Sequence, residues 1–384
     1  MDNPIYLDHN ATTPHDPEVI EAMRPFFEKE FGNPSSSHWY GIKPKRAVEN
    51  ARAQVASLLN CEPAEIVFTS GGTESNNQAI IGIARANRRK GNHIITCAIE
   101  HPAVLEVCRY LEKCEFEVTY LPVDEFGLVH ASDLEKAVTP RTTLITIMHA
   151  NNEVGTVQPI QEIAAPARDR GIVMHTDAAQ SVGKIPTDVR SLGVDLLSVA
   201  GHKVYAPKGV GAIYIRSGLV PEKFMLGAEQ ETGRRAGTEN VMEIVGLGKA
   251  CEIATRDLAD NAAHMKAMRD GLHDRLSAKL SDLKLNGDRD NRLPNTLNLS
   301  FKDLEANRIL EEIGLDVAAS AGAACHSDQV QLSHVLEAME IPVDWAKGTL
   351  RFSTGRMNTD DQIQKAAQVV GDAVKRLRGM VHRA

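Results

Sequence analysis

The chain has 384 residues, of which 42% are hydrophobic and 24% charged, and its formal net charge at pH 7 is −8. This composition is typical of a globular protein with more than one domain, and the acidic balance without a long basic block argues against nucleic acid as the primary ligand. No apolar run reaches 18 residues and the first residues lack the pattern of a signal peptide, so we expect no membrane association and a cytoplasmic location.

Short apolar runs alternate with helical patterns from about residue 50 to residue 255. Continuous apolar character is typical of strands that are covered on both faces. We therefore predict an α/β fold with a mostly parallel, seven-stranded sheet. The predicted strands are Ile66–Thr69, His93–Cys97, Glu117–Leu121, Leu144–Met148, Ile172–His175, Leu196–Val199 and Gly211–Ile215.

The first of these strands ends at a glycine pair, and a helical pattern follows. Gly71 and Gly72 permit close backbone approach, and Thr73 adds a hydroxyl group. The start of a helix offers free N–H groups and a favourable dipole to an anion. The pattern predicts a phosphate site, although such turns are also common without a ligand.

Two later strands end in residues that suit one cofactor. Asp177 comes at the end of one strand, and Lys203 follows the next within Gly201-His-Lys203. A lysine whose pKa falls on burial suits Schiff-base chemistry, and pyridoxal enzymes pair a carboxylate with the ring nitrogen. Taken singly, Asp177 is explained as a turn cap and Lys203 as a surface lysine, so the prediction depends on the two together.

The C-terminal part has a different pattern. A helical segment extends from Asn240 to about Leu280, and shorter strands and helices follow. These predict a smaller α+β domain. The expected division is a large domain over residues 14–258 and a small domain formed by residues 1–13 and 259–384.

The six cysteines contain no Cys-x-x-Cys pair and no tight Cys/His cluster. In so long a chain they predict neither a disulfide scaffold nor a metal site. Cys325 stands out because small residues precede it and polar residues follow it, which is unlike the setting of a buried structural cysteine.

Ordered motifs along nearly the whole chain resemble one family. The chain is similar to the cysteine desulfurase and selenocysteine lyase group of fold-type I pyridoxal-phosphate enzymes, and most of all to the desulfurases with a long catalytic loop. The motifs are Tyr6–Pro14, Phe31–Ser35, Thr69–Ser75, Glu100–His101, Ala150–Gly155, His175–Gln180, Gly201–Lys203, Arg235–Asn240, Leu293–Thr296, Gly322–Cys325 and Arg351–Ser353.

The resemblance implies a role for each matching residue. It implies that Lys203, Cys325 and His101 are catalytic, with Lys203 carrying pyridoxal 5'-phosphate and Cys325 taking the sulfur. The implied cofactor-binding residues are Gly72, Thr73, His101, Asn152, Asp177, Gln180, Ala200, His202, Lys203 and Thr238. The implied substrate-binding residues are Asn152, Arg351, His9 and Asn10.

Two positions carry further expectations. Thr238 matches a residue that in the family reaches the cofactor phosphate of a partner subunit, which implies a homodimer. Ala200 departs from the family pattern, which usually has a serine there as a phosphate ligand, so the phosphate site has one hydroxyl fewer.

The predicted activity is removal of sulfur from L-cysteine, which gives L-alanine and a persulfide on Cys325. The persulfide then passes to a sulfur-acceptor protein, such as a scaffold or sulfur carrier for iron–sulfur clusters or other thio-cofactors. The alternative substrate is L-selenocysteine, and a further alternative is another fold-type I aminotransferase, which would not need Cys325.

Overall fold

The computed structural model describes residues 4–326 and 329–381, with backbone alone for 323–326, 329–331 and 381. Its strands are β1 (Ile5–Tyr6), β2 (Ile66–Thr69), β3 (His93–Cys97), β4 (Glu117–Leu121), β5 (Thr142–Thr146), β6 (Val173–Asp177), β7 (Leu196–Ala200), β8 (Gly211–Ile215), β9 (Leu283–Asn286), β10 (Thr296–Phe301), β11 (Val317–Ala318), β12 (Ser320–Ala321), β13 (Ala323–His326), β14 (Gln329–Leu332) and β15 (Thr349–Ser353).

Helices cover both faces of the sheet and surround the C-terminal strands. They are α1 (Pro17–Glu28), α2 (Trp39–Leu59), α3 (Gly72–Ala86), α4 (Pro102–Lys113), α5 (Ala131–Ala137), α6 (Ile160–Asp169), α7 (Val189–Leu192), α8 (Val241–Ser277), α9 (Ala306–Ile313), α10 (His334–Ala338), α11 (Val343–Ala346) and α12 (Asp360–Val381). In the described part of the chain, no helix combines the length and the apolar character that a membrane span requires.

A seven-stranded sheet with the order β2-β8-β7-β6-β5-β3-β4 forms the centre of the larger unit. Only β8 runs antiparallel to its neighbours. Every residue of β2, β3, β5, β7 and β8 is buried, because helices cover both faces of the sheet. The prediction of a mostly parallel, seven-stranded sheet is confirmed.

The strand predicted at Leu144–Met148 is displaced by two residues. The structure has it at Thr142–Thr146, and its first residue pairs with His93 of β3. The Thr142 hydroxyl and the His93 ring also lie within hydrogen-bond distance, at 2.7 Å. A strand that begins with two threonines is hard to separate from the preceding loop by hydrophobicity alone.

One edge of this sheet positions the residues of the site. Strands β2, β5, β6 and β7 run in the same direction, so Thr69, Thr146, Asp177 and Ala200 end them on one side. The loops that follow those ends therefore converge. In open α/β sheets, ligands bind in the crevice outside the carboxyl ends of the strands.

A smaller antiparallel sheet, β12-β15-β10-β9, lies in the C-terminal part of the chain. Its core is a separate cluster that includes Phe301, Phe352 and Ile363. The N-terminal arm joins this cluster, because Leu7 is buried in it and β1 pairs with β11.

The predicted division between residues 258 and 259 stays a prediction. It falls inside α8, a helix of 37 residues. Leu247 and Cys251 of that helix pack in the core of the larger unit, whereas Leu272 and Leu276 pack in the core of the smaller one.

Candidate active site

A cavity of about 310 Å³ opens at the carboxyl edge of the central sheet. Its volume is at the small end of the range for ligand pockets. The residues predicted from the sequence that line it are Gly72, Thr73, His101, Asn152, Asp177, Gln180, Ala200, His202, Lys203 and Arg351. A larger cavity of about 600 Å³, beside α8 and β9, is lined by other residues.

Lys203 ends a short turn that follows β7 directly. Its Nζ donates to the main-chain carbonyl of Ala11 at 2.7 Å and to that of Asn10. Burial, together with the positive charge of Arg351, lowers the pKa of Lys203 to about 8, although two nearby carboxylates oppose the shift. The amine is therefore far closer to its nucleophilic form at neutral pH than an ordinary lysine.

Asp177 is the last residue of β6 and is only 6% exposed. Its Oδ2 accepts from Asn76 Nδ2 at 2.6 Å, and its Oδ1 accepts from the N–H of Ala179 at 2.9 Å. Both of these partners are neutral. A buried carboxylate held only by neutral donors is costly, so this wall of the cavity favours a cationic N–H group.

The first turn of α3 forms another wall. Gly71 precedes it with a φ of 149°, a conformation that L side chains rarely adopt. Gly72 packs so closely on the end of β7 that an added Cβ would lie 3.2 Å from the Cβ of Ala200. This close packing presents the free N–H groups of the helix start, beside the Thr73 hydroxyl, to the cavity.

His101 caps α4, and its ring borders the cavity. Its Nδ1 accepts from the N–H of Ala103 at 3.1 Å, so in the neutral ring Nε2 carries the proton. His101 is accessible to solvent, but the surrounding protein still desolvates its ring. This desolvation lowers the pKa of His101, although the charge of Asp177 opposes the shift. A neutral ring with a fixed tautomer is thereby favoured at pH 7.

Arg351 lies on β15 and brings the smaller sheet to the cavity. Its Nη2 donates to Asp8 Oδ1 at 2.8 Å and to Ser320 Oγ at 3.0 Å. Its Nη1 donates to the main-chain oxygen of Asn152 at 3.1 Å. These contacts hold the guanidinium in place. The Asp8 carboxylate already lies beside it, where a substrate carboxylate is predicted to bind.

Gln180 is oriented by a buried lysine. Its Oε1 accepts from Lys184 Nζ at 3.2 Å, and its Nε2 donates to the main-chain oxygen of Asn10 at 3.0 Å. Because a lysine amine donates here, the amide oxygen faces Lys184 and the amide nitrogen faces the Asn10 carbonyl.

Three predicted residues do not line the cavity. His9 is buried in a cluster with Tyr6 and Tyr205, and burial lowers its pKa to about 4. Asn10 is buried too, and its side chain bonds internally to Asn152, Thr296 and Asn295. Thr238 is exposed and lies outside the cavity formed by its own chain.

His202 lines the cavity beside Lys203, and the chain entering from the N-terminal arm packs against it. Its main-chain oxygen accepts from the N–H of Thr13 at 3.0 Å. Burial, followed by the charge of Lys203, lowers the pKa of His202 to about 4. It is therefore a neutral neighbour of the amine.

Cys325 lies on β13, which pairs with β14 in a two-stranded hairpin, where it stands opposite Val330. Its side chain is outside the described residues. Among the described cysteines, Cys97, Cys108 and Cys251 are buried, and burial raises the pKa of each. Such thiols are poor nucleophiles at neutral pH.

Several residues in or beside the cavity were not predicted from the sequence. Asn76 lies one turn after Thr73, and its position on α3 was a usable signal. Glu100 was noted only as part of a motif; it is fully buried, and burial raises its pKa to about 8. Lys184 gave no signal, because a lysine after a turn normally reaches solvent.

Comparisons with known proteins agree with this geometry. A model of the class V aminotransferase family matches residues 5–366. A cysteine desulfurase IscS of Dictyoglomus turgidum is 48% identical over 379 residues, covering 98% of this chain and 96% of that protein. A cysteine desulfurase IscS of Methanosarcina thermophila is 48% identical over 377 residues, covering 98% of this chain and 93% of that protein.

Solved structures have the same fold. A NifS-like protein superposes with a TM-score of 0.91 at 37% identity, covering 97% of this chain and all (100%) of that one. SspA in complex with cysteine superposes with a TM-score of 0.81 at 38% identity, covering 92% of this chain and 99% of that one.

The fold and the site define an α/β enzyme of fold-type I, with a lysine, a carboxylate and a helix start around one cavity. The chain belongs to the class V aminotransferase family. The cofactor of this enzyme is pyridoxal 5'-phosphate.

The residues of the cavity fit that cofactor. Lys203 offers an amine of lowered pKa to the aldehyde. Asp177 offers a carboxylate to the ring nitrogen. This carboxylate is buried and has no cationic partner among the described residues. Thr73 and the start of α3 suit the phosphate. Each chemical feature of the cofactor thus has a complementary group.

Proposed function

We propose that this chain is a cysteine desulfurase that converts L-cysteine to L-alanine and carries the sulfur as a persulfide on Cys325. The supporting observation is the convergence of Lys203, Asp177 and Arg351 on one cavity. The high identity to proteins named cysteine desulfurase over nearly the full length of the chain supports the same reaction.

Arg351 is the proposed anchor for the substrate carboxylate. A planar guanidinium can hold a carboxylate through two hydrogen bonds, which fixes orientation as well as binding energy. Asp8 and the Asn152 carbonyl hold the guanidinium in advance. The incoming carboxylate competes with Asp8, so the arginine is kept ordered without being permanently neutralised.

Lys203 is the proposed group that moves the proton at the substrate α-carbon. When bound, pyridoxal phosphate supplies an electron-withdrawing ring that stabilises negative charge at that carbon, and Asp177 keeps the ring nitrogen protonated. Lys203, with a pKa of about 8, can accept the proton and return it near neutral pH. His101, with its proton on Nε2, provides a neutral donor on the cavity wall.

Cys325 is the proposed sulfur carrier. Its thiolate attacks the substrate sulfur, the carbon–sulfur bond breaks with its electron pair left on the substrate carbon, and that carbon is protonated to give alanine. The sulfur remains on the enzyme as Cys325–S–SH. The position of Cys325 on a separate hairpin of the smaller unit suits a residue that must carry sulfur from the cavity to an acceptor.

Mass spectrometry of the protein after brief exposure to L-cysteine tests this function. We expect 32 mass units to be added to the peptide that contains Cys325, with alanine released in equal amount, a shift fixed by the mass of one sulfur atom (~32 units). Cys325→Ser should keep the visible absorption of the cofactor and release almost no alanine. Cys251→Ser is the matched control, because that thiol is buried and should be dispensable.

Persulfide on another cysteine with Cys325 unmodified would contradict the assignment of the carrier. Rapid selenide release from L-selenocysteine, with neither persulfide nor alanine formed from L-cysteine, would instead identify a selenocysteine lyase. Transamination without any dependence on Cys325 would favour an ordinary aminotransferase.

The remaining expectations complete the proposal. We propose a homodimer in the cytoplasm that passes its sulfur to an acceptor protein, such as a scaffold or a sulfur carrier. Thr238, which is exposed in its own chain, is the residue expected to complete the phosphate site of the partner.

A further inference from the structure

Lys184 is a lysine in an unusual setting. It is only 2% exposed, and its described contacts include no carboxylate. Its Nζ donates to the main-chain oxygen of Gln180 at 2.9 Å and to Gln180 Oε1 at 3.2 Å. Burial of an unpaired cation costs free energy, so the contacts that Lys184 makes must offset that cost.

The two hydrogen bonds do not require a charged amine. A neutral amine has two N–H groups, and both are used here, whereas an ammonium would leave a third N–H without a partner among the described residues. Burial, with the positive charges of Lys203 and Arg351, accordingly lowers the pKa of Lys184 to about 7. Lys184 can therefore make both hydrogen bonds to Gln180 whether its amine is neutral or protonated.

The hydrogen bonds between Lys184 and Gln180 are connected to Lys203 through the main-chain carbonyl group of Asn10. Lys184 holds Oε1 of Gln180, which turns Nε2 toward the main-chain oxygen of Asn10 at 3.0 Å. The same oxygen of Asn10, together with that of Ala11, receives Nζ of Lys203. The Asn10 oxygen is thus shared between the Gln180 amide and the Lys203 amine.

We propose that Lys184 is a positioning residue for Lys203. Lys184 fixes the Gln180 amide, so that this amide and the Lys203 amine share the Asn10 carbonyl. The shared carbonyl cannot fully stabilise a protonated Lys203. The proposal rests on the proposed function in taking Lys203 as the reactive lysine. It extends that function by assigning a role to a residue outside the cavity lining.

The charged and titratable groups around Lys184 explain why its amine is mostly neutral at the pH at which Lys203 titrates. His9 from the N-terminal arm, His202 and Lys203 from the turn after β7, and Arg351 from β15 interact with it electrostatically. None of them is a carboxylate. Replacing Lys184 with a neutral, non-donating side chain releases the Gln180 amide and so frees the Asn10 oxygen, which favours the protonated form of Lys203.

Titration of Lys203 in the cofactor-free protein tests the proposal without any turnover. Trinitrobenzenesulfonate labels deprotonated amines, and the Lys203 peptide is quantified by mass spectrometry from about pH 6 to pH 10, a range that spans the shifted and the ordinary lysine pKa. In Lys184→Met we expect the labelling midpoint to rise by about 0.5 to 1 pH unit, as expected for a change of one hydrogen bond. Lys208→Met, which removes an exposed lysine near the same turn, is the matched control and should leave the midpoint unchanged.

A double-mutant cycle tests the route through Gln180. Gln180→Met should raise the midpoint in the same direction, and the double variant should show no more than the larger single effect, because both substitutions break one chain of contacts. Thermal unfolding of each variant separates a local effect from loss of the fold. If Lys184→Met does not fold, the midpoint in Gln180→Met decides the proposal alone.

An unchanged Lys203 midpoint in folded Lys184→Met, or additive shifts in the double variant, would overturn the proposal. These outcomes are independent of the desulfurase assignment, because no cysteine is consumed. Conversely, failure to form a persulfide on Cys325 would reject the proposed function and leave the titration result intact.

Discussion

At the scale of single residues, the role we propose for Arg351 requires a guanidinium that is ordered and yet available to a substrate carboxylate. Three groups share its guanidinium: Asp8, Ser320 and the Asn152 carbonyl. Only 12% of its side chain is exposed, so these contacts fix its direction before a substrate arrives. A carboxylate that replaces Asp8 gains a prepared, partly desolvated partner.

Arg351→Lys should therefore weaken substrate binding more than it slows the chemical step. A charge-assisted hydrogen bond contributes about 1.5–3 kcal/mol, so we expect KM for cysteine to rise roughly 10- to 100-fold, with a smaller change in kcat. Steady-state kinetics of alanine release measure both. Arg356→Lys, a similarly buried arginine paired with Asp16, is the control, and an unchanged KM in Arg351→Lys would count against the anchor.

The sequence predicts the location of residues that come at the end of an apolar strand. It does not predict residues whose properties depend only on burial in the folded chain. Asp177 and Lys203 each follow an apolar strand, so the pattern places them at one sheet edge. Lys184 and Glu100 acquire their character from enclosure by segments distant in sequence, and no local pattern records it. For Asn10, the sequence predicted the right neighbourhood, but its side chain is used up in internal hydrogen bonds.

At the scale of elements, the contact between α3 and the end of β7 forms the proposed phosphate site. Ala200 ends β7, faces the cavity and packs against Gly72 at the helix start. It offers no hydroxyl, so the phosphate contacts we propose come from Thr73, His202 and main-chain N–H groups. Compared with the family pattern, this proposed site has one hydroxyl donor fewer.

Ala200→Ser should supply that hydrogen bond. We expect cofactor affinity to increase about two- to tenfold, in line with the net contribution of about 0.5–1.5 kcal/mol for one hydrogen bond. Equilibrium titration of the cofactor-free protein, followed by visible absorption, measures it. Ala150→Ser places a hydroxyl elsewhere on the same cavity and should not tighten binding. Weaker binding in Ala200→Ser would show that the site is complete without the hydroxyl.

His175 joins three strands of the central sheet. Its ring nitrogens lie 2.8 Å from the Thr146 hydroxyl on β5 and 3.0 Å from the Ser198 hydroxyl on β7. The ring is completely buried, and burial lowers its pKa to about 3. The native protein therefore holds this histidine neutral well below the pH at which the unfolded chain protonates it.

Stability should accordingly fall as the pH drops below about 6.5, the ordinary histidine value. Between pH 7.5 and 5.0, His175 alone should lower the free energy of unfolding by about 2 kcal/mol, because only the unfolded state gains the proton. Urea denaturation at the two pH values measures the loss. His175→Gln should lose that much less, whereas His15→Gln, at an exposed position, should behave like the wild type. An equal loss in His175→Gln would refute the assignment.

The strands of the central sheet were predicted well, whereas three strands of the C-terminal part were not predicted. The strands at His93–Cys97 and Gly211–Ile215 agree with the structure residue for residue. In contrast, β9 and the hairpin of β13 and β14 gave no signal, because their few residues mix polar and apolar types. In such short segments, strand propensity depends on the cross-strand neighbours rather than on the residues alone.

At the scale of the whole molecule, the single chain leaves large apolar side chains in solvent. Phe31 is 79% exposed, Trp39 is 70% exposed and Leu226 is 83% exposed. Thr238 is exposed as well and does not line the cavity of its own chain. These features suit the expectation of a dimer in which each site borrows a segment from the other subunit.

Mixing two impaired variants tests that arrangement. In a heterodimer of Lys203→Ala and Thr238→Ala, one site carries both defects and the other carries neither, so activity should recover toward one intact site per dimer. Alanine release after co-refolding measures the recovery, and each variant refolded alone is the control. A fully active monomer at low concentration, or no recovery in verified heterodimers, would contradict shared sites.

The helix α8 bears on how the molecule comes apart. It is 37 residues long, which corresponds to about 55 Å at 1.5 Å per residue, and it contains no proline. Each half is anchored in a different core, so melting either core removes the support of the shared helix and weakens the other. The two units should therefore denature in a single cooperative transition, and a fragment cut at residue 258 should be much less stable than its share of the core suggests, because the cut severs the helix that both cores stabilise.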